Sequence, residues 1–173
     1  MNTVAYSAIE SAWYEFEQVR ALTPWINEGV GVNRVVTPGY YRQNSRHCVC
    51  ATIVYDRPLS ADDVDKLRNA SRFINRSFVI AMSAILEAHG IVPNRQNADT
   101  SVTGGLECQL VKSLRHCFAH HGDAQFDPTV DMHARAGRLQ ALAFPSVPIF
   151  ELPIDTFLEP LKNKVLDYIR AAT

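Results

Sequence analysis

A long apolar stripe in the middle of the chain constrains the fold more than any other feature. Apolar side chains recur at three- and four-residue spacing from Val64 to Ile85, which is the period of an α-helix packed on one side. Ser60 and the acidic residues after it are typical of a helix start, and Gly90 and Pro93 end the pattern. At a rise of ~1.5 Å per residue, the pattern predicts a helix of about eight turns.

Three further segments show the same helical periodicity. One runs from about Thr3 to Leu22, and another from near Gly105 to a stop at Gly122. A last helix is expected to begin near Thr156, which has capping-box spacing to the acidic residue three positions later. Each of these segments places its apolar residues on one side, so the four helices are expected to pack against one another.

The segments between the helices are less regular. We expect a short strand at His47–Tyr55, a mobile loop at Asn94–Gly104, and a hairpin or extended strap at Phe126–Pro153. The sequence therefore predicts a mainly α protein, a bundle of four or five helices with irregular or small β insertions. A length of 173 residues predicts a single domain over residues 1–173.

Composition narrows the class of protein. The formal net charge is −1, so no global field draws the chain to nucleic acid or membrane, and any anion site must be local. The sequence contains no stretch of about 18 apolar residues, so we predict no membrane span. The N-terminus does not resemble a signal peptide. Cys48, Cys50, Cys108 and Cys117 contain no CxxC pair, and we interpret them as reduced thiols of a cytoplasmic protein.

The densest polar feature is the heptapeptide Arg115–His121, in which His116, His120 and His121 accompany the arginine. An arginine can hold a phosphate through a planar fork of donors, and a histidine can move a proton near neutral pH. Together they are the minimum equipment for cleaving an RNA phosphodiester without a metal. The same residues also fit the polar end of an ordinary helix.

A metal site competes for the same residues. His116 and His120 are spaced i, i+4, as are Cys117 and His121, so either pair could share a helix face and bind zinc. The remaining ligands would have to come from His47, Cys48, Cys50, His133 or a carboxylate. No spacing selects among them, so neither a metal nor another cofactor is assigned.

A second basic feature lies on the long helix. Arg68, Arg72 and Arg76 follow one another at four-residue spacing and form a cationic stripe that could hold an RNA backbone. The alternative is a solvated helix face in which these arginines pair with Asp62 or Asp65.

The motif Arg115-x4-His120, near the end of an amphipathic helix that a glycine closes, resembles the signature of the HEPN superfamily. The helical pattern over Ala61–Thr173 also suits the all-α bundle of that family. The resemblance implies a metal-independent endoribonuclease that acts on RNA as a homodimer, as a toxin or defence component, with an antitoxin as a further partner. The chain departs from the family at His116, where asparagine is frequent.

The resemblance also implies a role for each site residue. His120 would act as general base or acid during attack of a ribose 2′-hydroxyl on the adjacent phosphate, and Arg115 would stabilise the charge that develops. His116 or His121 would supply the second proton-transfer group. Two alternatives stay open at this point: a non-catalytic HEPN-like protein that binds RNA or serves as a scaffold, and a helical structural protein without a site.

Overall fold

Five α-helices account for most of the structure, a computed structural model that describes residues 2–23, 29–37, 40–41, 48–49, 51–121 and 126–172. The helices of this described part are α1 (Thr3–Leu22), α2 (Ala61–Ala88), α3 (Gly105–His121), α4 (Asp131–Ala143) and α5 (Glu159–Ala171). The prediction of a mainly α bundle with small β insertions is confirmed. Gly122, the predicted stop of the third helix, lies outside the described residues.

Within the described residues, the strands form two short antiparallel pairs. Strand β1 (Arg34–Val36) pairs with β4 (Thr52–Val54), and β2 (Tyr40–Tyr41) pairs with β3 (Cys48–Val49). The single strand predicted at His47–Tyr55 is correct in type but wrong in number, because β3 and β4 are separate strands with different partners. His47 and Cys50 lie outside the described residues.

The chain divides into two compact units. The larger unit contains Met1–Ala12 and Asn75–Thr173, and the smaller unit contains Trp13–Ile74. The division falls within α1 and within α2, so each of these helices contributes residues to both units. The single domain over residues 1–173 stays a prediction.

The smaller unit has its own apolar cluster and a capped helix. Val35, Leu59 and Val64 are buried together in this cluster. The Ser60 backbone N–H donates to the Asp63 carboxylate at 2.9 Å, and the Asp63 N–H donates back to the Ser60 hydroxyl at 3.3 Å. This reciprocal cap satisfies backbone donors at the start of α2, as the sequence predicts.

Helices α3 and α5 contribute to the core of the larger unit together with buried residues of α1 and α2, and α4 packs on α3. The predicted stripes on α3 and α5 are buried, which confirms that the apolar period marks their inner faces. The fully buried side chains of these two stripes are Leu110, Leu114, Leu161, Val165 and Ile169.

The hairpin or strap expected at Phe126–Pro153 is wrong, because residues Asp131–Ala143 form α4. The buried face of α4 carries His133, Ala136, Gly137 and Gln140, which are small or polar. Of its two leucines, Leu142 is 71% exposed and Leu139 is only half-buried. Large apolar side chains therefore contribute little to its buried face, so the helical period in the sequence is weak.

The capping box predicted at Thr156 is also wrong. Residues Ile154–Leu158 form a single π-helical turn without a side-chain cap, and α5 follows it directly. The Pro153 carbonyl accepts the N–H groups of Phe157 at 3.1 Å and Leu158 at 3.0 Å. Helical backbone therefore begins before Thr156, so this residue lies within a turn and cannot cap one.

Candidate functional site

A polar cleft of about 460 Å³ lies beside α3 in the larger unit. The α3 side of the cleft carries Gln109, Lys112, Arg115 and His116. These residues recur at three- and four-residue spacing, so they share one face of the helix, away from the buried apolar stripe. Two of the four residues that the sequence proposes as catalytic therefore line one cavity.

The other walls of the cleft come from three different elements. Glu87 comes from the end of α2, Asp131 and Arg135 from the first turns of α4, and residues 94–97 from the loop before α3. Among the described lining residues the cations are Arg95, Lys112, Arg115 and Arg135 and the carboxylates are Glu87 and Asp131, so positive charge prevails. The cleft is thus a local anion-attracting site in a chain whose net charge is −1.

Lys112 fixes one wall of the cleft. Its ammonium donates to the backbone carbonyls of Pro93 at 2.6 Å, Asn94 at 3.0 Å and Gln96 at 2.5 Å. Three such bonds use all three donors of a charged ammonium group. The segment predicted to be a mobile loop is therefore tied to α3 at this point.

The pKa of Lys112 depends on the residues around the cleft. Burial lowers the pKa of Lys112, the Glu87 carboxylate raises it, and the guanidinium groups of Arg135 and Arg115 lower it further. The two arginines thus lie close enough to the ammonium to repel it. Three cations contribute to one local positive field.

The two arginines differ in how they are held. Arg135 donates from its Nη2 to the Asn97 side-chain oxygen at 3.1 Å. Arg115 is half-buried, and no hydrogen bond or ion pair to its guanidinium occurs among the residues that the structure describes. Its fork of donors is available for a ligand in the cleft.

The histidines form a pair one helical turn apart. The rings of His116 and His120 lie 4.5 Å apart between centroids in an edge arrangement, and both side chains are exposed. His116 lines the cleft with Arg115, whereas His120 is not one of the described residues that line it. The side chain of His121 is not described, so its predicted role stays a prediction.

Cys117 is held as a buried thiol. Its Sγ donates to the Met132 carbonyl at 3.4 Å, and burial raises its pKa to about 11. Within the described ranges, no group of three histidine, cysteine or acidic side chains is placed to hold a metal. His47 and Cys50, two candidate ligands, lie outside those ranges.

The arginines of the cationic stripe have separate neighbours. Arg68 approaches Asp65 at 3.4 Å, which fits the solvated-face alternative, and Arg72 donates to Asn69 at 3.5 Å. Arg76, in the larger unit, lies over the Phe118 ring at 5.3 Å from its centroid. This distance fits a cation–π contact. Their binding to RNA stays a prediction.

The sequence reasoning missed the cleft residues outside the heptapeptide. A signal existed on α3, because Lys112 precedes Arg115 by three residues and His116 by four, the spacing of one helix face. No comparable signal pointed to Arg135, since α4 itself was not predicted.

The chain matches no protein-family model, no curated protein and no solved structure. Among the described helices, none is long and apolar enough to cross a membrane. The residues that line the cleft are therefore the basis for any assignment of function.

Proposed function

We propose that the protein is a metal-independent endoribonuclease of HEPN type. One observation carries the proposal: Arg115 and His116 line a cleft in which cations outnumber carboxylates, and the His120 ring contacts that of His116. An RNA phosphodiester supplies the anion that such a cleft attracts. Two imidazoles beside it supply the groups for proton transfer.

The reaction is attack of a ribose 2′-oxygen on the adjacent phosphorus. A bond forms between the 2′-oxygen and phosphorus, and the bond from phosphorus to the 5′-oxygen of the next nucleotide breaks. One histidine removes the proton of the 2′-hydroxyl, and the other gives a proton to the departing 5′-oxygen. The products are a 2′,3′-cyclic phosphate and a 5′-hydroxyl, with no metal or oxidant required.

The roles follow from position. Arg115 lies in the cleft, no described residue uses its guanidinium donors, and it stabilises the negative charge of the five-coordinate phosphorus. His116 and His120 share the two proton transfers, because their rings are in contact. As the sequence predicts, His121 is kept as a further proton-transfer group, and Arg68, Arg72 and Arg76 are kept as contacts to an RNA backbone.

The experiment is incubation of purified protein with total RNA in a chelator. Arg115→Ala and His120→Ala are compared with His89→Ala, a matched control that removes a half-buried histidine at the end of α2, outside the cleft lining. We expect the rate to fall by about 10²–10⁴ in His120→Ala and to stay unchanged in His89→Ala. Arg115→Lys is expected to be slow as well, because a point charge cannot replace the planar fork.

Product chemistry gives a second criterion. A 2′-deoxynucleotide at the cleaved position removes the nucleophile and is expected to stop cleavage, and the products are expected to carry cyclic phosphate ends. Full activity of His120→Ala, or activity lost only on chelation, would contradict the mechanism.

A binding protein without cleavage is the second candidate, because His120 is not among the described residues that line the cleft. RNA that is retained on a filter but stays intact, with loss of retention in Arg115→Ala, is the result that selects it. The proposed biological setting is a cytoplasmic homodimer with an antitoxin partner. Light scattering that gives a monomer at micromolar concentration would contradict the dimer.

A further inference from the structure

The cleft holds more anion-binding groups than the proposed cleavage uses. Arg135 lines the cleft from α4, and Arg115 lines it from α3. Among the described residues, Arg135 makes one side-chain hydrogen bond, from Nη2 to the Asn97 oxygen, whereas a guanidinium carries five donors. Two guanidinium groups from two helices are therefore available to one ligand.

The cations that line the cleft are not held in ion pairs with other described residues. Among the described residues, no ion pair involves Arg115, Arg135 or Lys112. The Lys112 ammonium is occupied by backbone carbonyls, which accept hydrogen bonds but bring no negative charge. Glu87 and Asp131 also line the cleft, so its positive charge is partly but not fully compensated.

The loop wall brings a different kind of group. Asn94, Gln96 and Asn97 line the cleft, and Lys112 ties the loop backbone in place. A side-chain amide both donates and accepts, which matches the mixed edge of a nucleobase, whereas a phosphate oxygen only accepts. A bare anion site would not need such a wall.

The size of the cleft fits a small ligand. Its volume of about 460 Å³ falls within the range of roughly 300–1,000 Å³ that small-molecule sites occupy. One nucleotide therefore suits the cleft better than a duplex, which needs an extended surface.

We propose that the cleft is a single-nucleotide subsite in which Arg115 and Arg135 hold one phosphate from two helices and the amides at residues 94–97 contact the attached base. The subsite rests on the proposed function for the statement that the nucleotide belongs to RNA. Binding itself requires no proton transfer, so the two claims can fail separately.

The test is calorimetric titration of the His120→Ala protein, which the proposed mechanism makes too slow to cleave RNA during the measurement. The probes are the four ribonucleoside 3′-monophosphates, inorganic phosphate, and the four nucleosides without phosphate. We expect at least one nucleotide to bind about tenfold more tightly than inorganic phosphate and than its own nucleoside. Equal affinity for nucleotide and inorganic phosphate, or no binding at all, would overturn the subsite.

Arg135 provides the decisive variant. Arg135→Ala, made in the His120→Ala protein, is expected to weaken the nucleotide about 10- to 100-fold, the loss typical of charge-assisted hydrogen bonds, and Arg135→Lys to restore part of it. Arg138→Ala is the matched control, because Arg138 is an exposed arginine of α4 outside the cleft lining. Unchanged affinity in Arg135→Ala would overturn the two-arginine clamp.

The same titrations separate the subsite from the proposed function. If wild-type protein leaves RNA intact but nucleotides bind as described, the ribonuclease fails and the subsite stands. If RNA is cleaved but no nucleotide binds, or Arg138→Ala weakens binding as much as Arg135→Ala, the subsite fails and the ribonuclease stands.

Discussion

Replacement of Gln140 by leucine tests how α4 holds the chain that follows it. Gln140 is fully buried, and its Nε2 donates to the carbonyls of Pro148 at 3.0 Å and Glu151 at 3.2 Å. Its Oε1 accepts the Phe150 N–H at 2.9 Å. One side chain thus satisfies three backbone groups of a segment in which Phe150 has a φ of 64°, a conformation unfavourable for a residue with a Cβ.

The expected loss follows from these bonds. Each buried polar group left without its partner costs about 1–3 kcal/mol. Pro148 and Glu151 are exposed residues, so water can replace part of what their carbonyls lose. A buried leucine gains apolar contact that offsets roughly 1 kcal/mol. We therefore expect Gln140→Leu to lower the free energy of unfolding by about 2–4 kcal/mol.

The assay is urea unfolding followed by circular dichroism at neutral pH. Arg138→Leu is the control, since it adds a leucine at an exposed position of the same helix and is expected to stay within about 0.5 kcal/mol of wild type. If Gln140→Leu is as stable as this control, the amide does not hold the segment and the reasoning is refuted.

Gln140→Glu adds a pH dependence of known sign. An ionised carboxylate can accept the Phe150 N–H but offers no donor to the Pro148 and Glu151 carbonyls, whereas the protonated acid restores one. The folded-state pKa of the new glutamate is therefore raised above its unfolded value of about 4.3. The variant is expected to be most stable below that pH and to lose stability as pH rises through the folded pKa.

Three further predictions concern single contacts. Lys112→Met is expected to speed amide hydrogen exchange at residues 94–97, because the loop loses its anchor to α3; unchanged exchange would contradict the clamp. Arg57 and Ser60 lower the pKa of Asp63, so its stabilising effect is present above about pH 4 and lost on further acidification; Asp63→Asn is expected to flatten this acid dependence in unfolding curves. Cys117, with a pKa raised to about 11, is expected to react slowly with iodoacetamide at neutral pH, which peptide mapping measures.

The helices that the sequence predicts are those that bury large apolar side chains. On α3, Leu110 and Leu114 are fully buried at four-residue spacing, and on α5 Leu161 and Val165 repeat the arrangement. Each pair is visible in the sequence as helical spacing, because buried positions on one helix face are filled by large apolar residues. The cap at Ser60 could also be predicted from the sequence, because it requires particular side chains at fixed positions.

Helix α4 could not be predicted in that way, because what it buries is small or hydrogen-bonded. Gly137 lies where an added Cβ would come within 3.0 Å of the Phe126 ring. The His133 Nδ1 accepts the Asp127 N–H at 3.1 Å, and Gln140 bonds the segment after the helix. Partners of these polar groups lie in other segments, so no pattern within α4 reveals that they are buried.

The same limit explains why only part of the cleft was foreseen. Arg115 and His116 drew attention because they are neighbours in the chain, but Arg135 reaches the cleft only through the packing of α4 on α3. A net charge of −1 says nothing about this site, since screening confines an exposed charge to roughly 10 Å at ordinary ionic strength. What a phosphate meets is therefore the local excess of cations around Lys112. An affinity that depends on this excess must weaken as salt is added, whatever the charge of the whole chain.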